Sequence, residues 1–303
     1  MAIVQKADLR IEERLQLHLL WLGRDPGGVR AEFRGATLSD LKLDGVDLRQ
    51  ADLREVSFLE SSLVGAKLAG ADLSGADLRK VNLIDADLSG TDLTDAKLQF
   101  TLLSEANLSE AKMVNTGFES ATLRDCRIFE AHMSGCNFSG ANLGGASLNQ
   151  SSMLDCNFAE TNLTNAKFLH VRMERCRFHK AQGDDIDFSS LSAQDTDFSG
   201  VRFASSKFYR ANLVRANFIR AELAGCNFGE SNFSFADFYM TNLANSRFGG
   251  ANLNAADLTS ADLTGARDLS AKQLASARTG NRTTLPNRQP GPYIKGSGSE
   301  RLR

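Results

Sequence analysis

The stretch Ala71-Asp72-Leu73-Ser74-Gly75-Ala76-Asp77-Leu78 decides the fold, because its alanine, aspartate and leucine each recur after five residues. Outward from it in both directions, an apolar residue occupies nearly every fifth position between Phe33 and Leu263, which makes 47 consecutive repeat centres. A period of five fits neither an amphipathic helix, which repeats every 3.6 residues, nor a half-buried strand, which repeats every 2. The chain must therefore turn a corner every five residues, and this predicts a solenoid.

The other positions of each repeat are filled just as systematically. Two residues before each centre lies a small or β-branched residue, such as Ala71 or Val81, which we expect to point inward. The position between these two is mostly polar, and thirteen of the 25 glycines occupy the fifth position. Glycine there suits a tight turn with positive φ. The pattern therefore places the corner of the solenoid at the fifth position.

Runs such as Ala71-Asp72-Leu73-Ser74-Gly75 and Ala141-Asn142-Leu143-Gly144-Gly145 resemble the pentapeptide repeat family. The resemblance covers residues 31–266 and implies an all-β solenoid, a right-handed quadrilateral β-helix with four pentapeptides per coil. One coil would then take twenty residues, and columns of like residues recur at that spacing. The columns are Met113, Met133, Met153 and Met173, and Phe118, Phe138, Phe158, Phe178, Phe198, Phe218 and Phe238. The repeats would make about 12 coils in a rod roughly 55 Å long.

Four segments follow from where the period holds. They are an N-terminal capping helix and turn at 1–30, the pentapeptide-repeat β-helix at 31–266, a C-terminal cap at 267–286 and a disordered basic tail at 287–303. Caps are expected because the ends of a solenoid otherwise expose unpaired strand edges. The two short α-helices of the caps are expected at Ala7–Leu22 and Leu269–Ala277.

The chemistry-bearing residues are absorbed by the repeat. Cys136, Cys156 and Cys176 stack on one face and could suggest a metal site, but all five cysteines occupy the small inward position, where a thiol packs as a small hydrophobe. The carboxylates occupy outward positions, and no phosphate loop, nucleophile elbow or metalloprotease helix is present. We therefore expect no enzyme, no cofactor and no metal. Five cysteines without a signal segment favour the cytoplasm, and no membrane span is expected.

The surface charge is uneven. Residues 31–110 hold fifteen acidic and eight basic residues, a net charge of −7, whereas residues 267–303 carry +6. Asp52, Asp72 and Asp92 should form a column of like charges, which loosely resembles the phosphates of a duplex. The resemblance implies an alternative function here, because some pentapeptide repeat proteins are quinolone-resistance factors that bind DNA gyrase or topoisomerase IV as DNA mimics. This chain lacks the loop insertions that some of them carry, and lysines and arginines dilute its acidic half.

Two basic clusters lie further along the chain, and acidic residues separate them. The basic residues are Lys167, Arg172, Arg175, Arg177 and Lys180, then Arg202, Lys207, Arg210, Arg215 and Arg220. The intervening acids are Asp184, Asp185, Asp187, Asp195 and Asp197. This arrangement favours intramolecular pairing, so direct nucleic-acid binding is not expected.

Two departures from the repeat remain as candidate functional features. Apolar residues occupy outward positions near the C-terminal coils, at Val214, Ile219, Phe235, Tyr239 and Met240, and predict a contact with a partner protein or a homodimer. Gly183 and Ala193 replace two large core side chains within one coil. Either Ile186 and Leu191 compensate for the lost volume, or the coil forms a functional bulge. The sequence thus predicts a non-catalytic scaffold for protein–protein interaction whose partner it does not identify.

Overall fold

The structure, a computed structural model, describes residues 6–301. Helix α1 spans Lys6–Gly23 and helix α2 spans Ala271–Ser276. Five strands lie between them: β1 Lys112–Val114, β2 His132–Ser134, β3 Ser152–Leu154, β4 Arg172–Glu174 and β5 Ser192–Gln194. They form one parallel sheet in chain order, and each residue pairs with the residue twenty positions further on.

The same spacing of twenty runs along nearly the whole repeat. Isolated parallel bridges join residues twenty apart, from Glu32 with Asp52 to Arg247 with Arg267. Every fifth residue from Gly35 to Gly265 has a φ between 51° and 73°. Four such corners fall in each twenty-residue coil, so the predicted β-solenoid with four sides is confirmed. The count of about 12 coils remains a prediction.

The local bonds explain why the repeat takes this form. In the stretch that decides the fold, the Gly75 amide donates to the Thr94 carbonyl of the next coil at 2.7 Å, and the Ala76 amide closes the corner on the Leu73 carbonyl at 3.0 Å. The outward Asp72 carboxylate accepts the Ser74 amide at 3.1 Å. An Asp or Asn in the second position therefore supports the corner from its own repeat.

The core is a set of stacked side-chain columns. The rings from Phe118 to Phe238 stack with successive centroids 4.7 to 5.0 Å apart. A second column, from Phe168 to Phe248, meets the first edge-on at about 6 Å. Stacked and edge-to-face pairs each add about 0.5 to 1.5 kcal/mol beyond area burial. The predicted columns are confirmed, and they hold the outward positions on a rigid frame.

Helix α1 caps the first coil with its apolar face. Ile11 and Leu15 pack against the core, and His18 is fully buried. The His18 Nδ1 accepts the Ala31 amide at 3.1 Å, and burial lowers the pKa of the imidazole, although the Arg49 carbonyl opposes this shift. The histidine is therefore held neutral as a link between the cap and the first coil.

The C-terminal cap is more extensive than the sequence predicts. Ser270 caps helix α2, and the Gln273 side chain donates to the Phe248 and Ala251 carbonyls at 2.7 and 2.9 Å. Beyond the helix, the chain adds further bridges to the last coil at Arg278 and Thr284.

The disorder predicted for residues 287–303 is wrong for residues 287–301. The Gly291 amide donates to the Thr283 carbonyl at 2.7 Å, Ser299 is buried, and the Tyr293 hydroxyl meets the Glu300 carboxylate at 3.1 Å. The physical reason is that the end of the solenoid presents open backbone groups and apolar surface, which this segment covers. Residues 302 and 303 lie outside the described residues, as do residues 1–5 of the predicted N-terminal segment.

Candidate interaction surfaces

The predicted acidic column exists as a geometric feature. Asp52, Asp72 and Asp92 are linked in register, one per coil, between Glu32 and Lys112. Each carboxylate, however, lies beside a cation. The Arg54 side chain binds both oxygens of Asp52 and lies 3.7 Å from Asp72, while the Lys112 ammonium donates to Asp92 at 2.9 Å. Ser74 and Thr94 amides also bind the column.

Arg54 changes the electrostatics of the column. Its guanidinium holds the pKa of Asp52 below its usual range, against the opposing effect of burial. Asp52 is only 8% exposed, so little of its charge faces solvent. A protein that binds the row of phosphates in DNA would contact a salt bridge at each end of this column, Arg54 with Asp52 and Lys112 with Asp92. The column therefore presents less negative potential than its sequence suggests.

The coil at Gly183 and Ala193 keeps its register. Gln182 bridges to residues of both adjacent coils, and the corners at Asp185 and Asp195 keep φ values of 56° and 55°. The difference from the regular repeat lies in the hydrogen bonding of one corner, where the Ile186 amide donates to the Ser206 hydroxyl at 3.1 Å. Ile186 and Leu191 are buried.

Gly183 itself allows a close approach between adjacent coils. A Cβ at this position would lie 2.5 Å from the Thr164 amide nitrogen and 2.7 Å from the Leu163 carbonyl carbon. Its φ of 155° is also one that L side chains rarely adopt. The glycine is required by the tight contact and the backbone geometry at this coil.

The apolar patch is Val214, Ile219, Phe235, Tyr239 and Met240, and the structure divides it over two corners. Phe235 is 60% exposed, Met240 47% and Tyr239 38%, while Val214 and Ile219 are half-buried. Ile219 and Tyr239 lie together in one surface groove, one coil apart. Phe235 and Val214 belong to the preceding corner. The five residues therefore form two neighbouring clusters on one side of the rod.

The backbone at two patch residues carries a conformational cost. Phe235 and Met240 occupy corner positions with φ of 61° and 57°, which suit glycine better than a bulky L residue. Exposure of their side chains means that burial does not offset this cost. Fold stability alone does not account for these two residues.

The first half of the rod carries a similar residue that sequence analysis did not single out. Phe100 lies at a corner with φ of 61° and is 59% exposed, and Leu102 beside it is 41% exposed. The detectable signal was a phenylalanine in the fifth position of a repeat. Phe129 is 39% exposed elsewhere on the surface.

The basic clusters are paired only in part. Arg175 binds Asp155, Arg210 binds Glu230, and Arg215 binds Asp195. By contrast, no carboxylate within residues 11–301 comes within 4.0 Å of the Lys180, Arg202 or Arg220 charge. The same three cations line the groove that holds Ile219 and Tyr239, together with His179, Gln182, Ser199, Gly200 and Asn217. Unpaired positive charge and exposed apolar surface thus meet at one place.

Comparison with known families decides the identity of the repeat. Residues 31–140 and 196–267 match the family described as pentapeptide repeats, in eight copies in all, and residues 126–203 match the pentapeptide repeat region. This chain belongs to the pentapeptide repeat family. No curated protein matches it.

Solved structures of pentapeptide repeat proteins are similar to this one. HetL, involved in heterocyst differentiation regulation in the cyanobacterium Nostoc sp. strain PCC 7120, is 25% identical over 77% of this chain and 89% of its own, with a TM-score of 0.31. QnrB1, a plasmid-mediated fluoroquinolone resistance protein, is 21% identical over 59% of this chain and 90% of its own, with a TM-score of 0.36.

Burial keeps the Cys126 and Cys226 thiols of this pentapeptide repeat protein protonated at neutral pH. All five cysteines are free and buried, and burial raises the pKa of Cys126 and of Cys226 to about 12. Over residues 6–301 no group of three or more histidine, cysteine, aspartate or glutamate side chains is placed to hold a metal ion. In the same part of the chain, neither helix combines the length and apolar character needed to cross a membrane.

Proposed function

We propose that this pentapeptide repeat protein is a non-catalytic cytoplasmic scaffold that presents a rigid surface to another protein. The observation that carries the proposal is the exposure of Phe235, Tyr239 and Met240 at outward positions that the repeat fills mostly with polar residues or glycine. A cluster of exposed apolar side chains usually marks an interaction site, whereas single exposed apolar residues are common on any protein surface. Two of them are also kept at corners that a glycine would occupy more favourably.

A rigid frame makes such a surface effective. The backbone of each patch residue is hydrogen-bonded to an adjacent coil, as the Arg220 amide donates to the Tyr239 carbonyl at 2.9 Å and the Met240 amide to the Thr259 carbonyl at 3.2 Å. Binding then costs little backbone ordering, which favours affinity from a small patch. A second copy of the chain is one partner that this surface could accept.

The alternative partner is a type II topoisomerase that the rod would bind as a DNA mimic. The in-register column of Asp52, Asp72 and Asp92 favours it. The cations Arg54 and Lys112 on that column argue against it. Supercoiling by purified gyrase, measured with and without this protein and a quinolone, separates the two proposals. Only the topoisomerase proposal predicts an effect at micromolar protein.

Affinity capture from the native cell tests the scaffold proposal. The test variant is Phe235→Gly/Tyr239→Thr/Met240→Ser, where threonine and serine are the residues that follow in the same columns, at Thr259 and Ser260. The control is Phe100→Gly, since Phe100 matches Phe235 in corner geometry and exposure. We expect a stoichiometric partner with wild type and control, and none with the triple variant. Equal recovery with all three proteins would overturn the proposal.

A further inference from the structure

The groove beside the patch combines two kinds of recognition. Ile219 and Tyr239 supply an apolar strip, and Lys180, Arg202 and Arg220 surround it with positive charge. Gly200 lies between Lys180 and Arg220 in their column and, having no side chain, leaves the space between them open. No acidic residue is among those that line the groove.

Two of the acids beside the groove accept hydrogen bonds from residues other than the three cations. Asp197 accepts hydrogen bonds from the Asn217 side chain at 3.1 Å and from the Ser199 amide at 2.9 Å. Glu222, which pairs in the ladder with Arg202, accepts the Asn242 side chain at 2.8 Å. Since no carboxylate within residues 11–301 lies within 4.0 Å of their charges, the three groove cations keep their hydrogen-bonding capacity for a group from outside.

We propose that this groove binds an acidic peptide segment that carries an apolar side chain, with Lys180, Arg202 and Arg220 binding its carboxylates and Ile219 and Tyr239 contacting the apolar group. The inference rests on the proposed function and adds the chemistry of the partner. Complementary charge steers such a segment and fixes its orientation, while the apolar contact supplies affinity. The His179 ring, which hydrogen-bonds the Ser199 hydroxyl at 2.9 Å, borders the groove.

The surroundings favour a short acidic peptide over a nucleic acid. Asp197 and Glu222 lie next to the groove, so a long polyanion would extend from the cations onto carboxylates. Tyr239 is the only phenylalanine, tyrosine or tryptophan among the residues that line the groove, whereas single-stranded nucleic acids bind across successive aromatic rings. The net charge of the whole chain is −2, which gives no long-range attraction for a polyanion.

Fluorescence anisotropy with the full-length protein tests the inference. The probe is a fluorescein-labelled peptide in which glutamates flank a Leu-Phe pair, and its two analogues replace either the glutamates by lysines or the Leu-Phe pair by serines. We expect the first peptide to bind at least about tenfold more tightly than either analogue. Its affinity should fall as NaCl is raised, since the cations are solvent-exposed.

Variants locate the site. Arg202→Gln takes the residue of the preceding coil, Gln182, and Tyr239→Thr takes that of the following coil, Thr259. Each should weaken binding of the Glu-Leu-Phe peptide about fivefold or more. Lys207→Asn, which removes the same charge outside the groove, should leave binding unchanged, and circular dichroism checks that all variants are folded.

Three results would overturn the inference. They are equal binding of the three peptides, binding unchanged by Arg202→Gln, and binding of a twenty-residue oligothymidylate as tight as that of the acidic peptide. If the peptides fail while affinity capture still depends on Phe235, Tyr239 and Met240, only the partner chemistry is wrong. If capture also fails, the proposed function falls with it.

Discussion

The two halves of the rod share one backbone geometry and differ in the side chains that surround their exposed corner residues. Phe100 in the first half and Phe235 in the second lie at corners with the same φ of 61° and are 59% and 60% exposed. Around Phe100 the charged residues are largely paired, as Lys80 is with Glu60 and Arg79 with Asp77. At the corner next to Phe235 lie further exposed apolar residues and the groove lined by Lys180, Arg202 and Arg220, whose charges have no carboxylate of residues 11–301 within 4.0 Å.

The cores differ as well, since leucine fills most centres up to residue 108 and phenylalanine becomes frequent from residue 118 onward. The inward positions therefore set the core packing of each half, and the outward departures from the repeat set what each half can bind. Exposure of a single apolar residue does not separate the two halves. Its combination with neighbouring apolar groups and free charge does.

The largest expected effect concerns the core. Phe178 stacks between Phe158 and Phe198 at 4.8 and 4.9 Å and is fully buried. Phe178→Ala should lower the free energy of unfolding by about 3 to 5 kcal/mol. Leu83→Ala, at a buried leucine of the first half, should cost about 1 kcal/mol less, because no ring stacking is lost. Chemical denaturation measures both, and equal losses would contradict a special role for the ring columns.

The next effect concerns the close approach at Gly183. Gly183→Ala should cost about 1 to 3 kcal/mol, because the new Cβ would lie against the backbone of Leu163 and Thr164. The control is Gly65→Ala, whose added Cβ meets no atom within 4 Å, so it carries only the corner strain of about 1 kcal/mol. Equal unfolding midpoints for the two variants would show that the coil at Gly183 relaxes freely.

A smaller effect of opposite sign is expected at the matched corners. Phe235→Gly and Phe100→Gly should each raise the free energy of unfolding by up to about 1 kcal/mol, because the strain of a left-handed L residue is relieved. The two changes should agree in urea denaturation, since the corners match in φ and exposure. A loss of stability in either variant would show that the exposed ring supports the fold.

The smallest effect is the pH dependence of the acidic column. Arg54 lowers the pKa of Asp52 in the folded state, so the pair adds stability above the unfolded pKa of about 3.9 that is lost as pH falls through the folded pKa. Between about pH 5 and pH 2, wild type should lose more stability than Arg54→Ser, which takes the residue of the next coil, Ser74. Thermal melts across this range would show parallel curves if the pair is energetically silent.

Most of the fold could be predicted from the sequence because each repeat position has one physical task. The period of five predicted the positions of the corners. The columns at spacing twenty predicted the length of one coil, because identical side chains stack on each other from one coil to the next. The ordered end at 287–301 could not be predicted from composition, because its order comes from covering the open end of the last coil. The buried role of His18 could not be predicted either, because it depends on a tertiary contact with Ala31.

The candidate site was predictable only in part. The patch residues could be named, because each breaks the outward rule of its repeat. The cations of the groove could not be separated from those that form ion pairs, since Arg202 and Arg215 each have an acidic residue twenty positions away, at Glu222 and Asp195. Only the side-chain geometry shows that Arg215 binds Asp195 at an ion-pair distance of 2.6 Å. For the same reason, the neutralisation of the acidic column by Arg54 required the structure.

Photo-crosslinking in the native cell tests the central claim most directly, that the partner meets the rod at the patch. A benzoylphenylalanine is placed at Tyr239, which is 38% exposed, or at Phe129, which is 39% exposed and lies outside the patch. We predict a discrete crosslinked adduct with one other protein or a second copy at position 239, and none at position 129. Adducts of equal yield at both positions, or none at position 239, would contradict the claim.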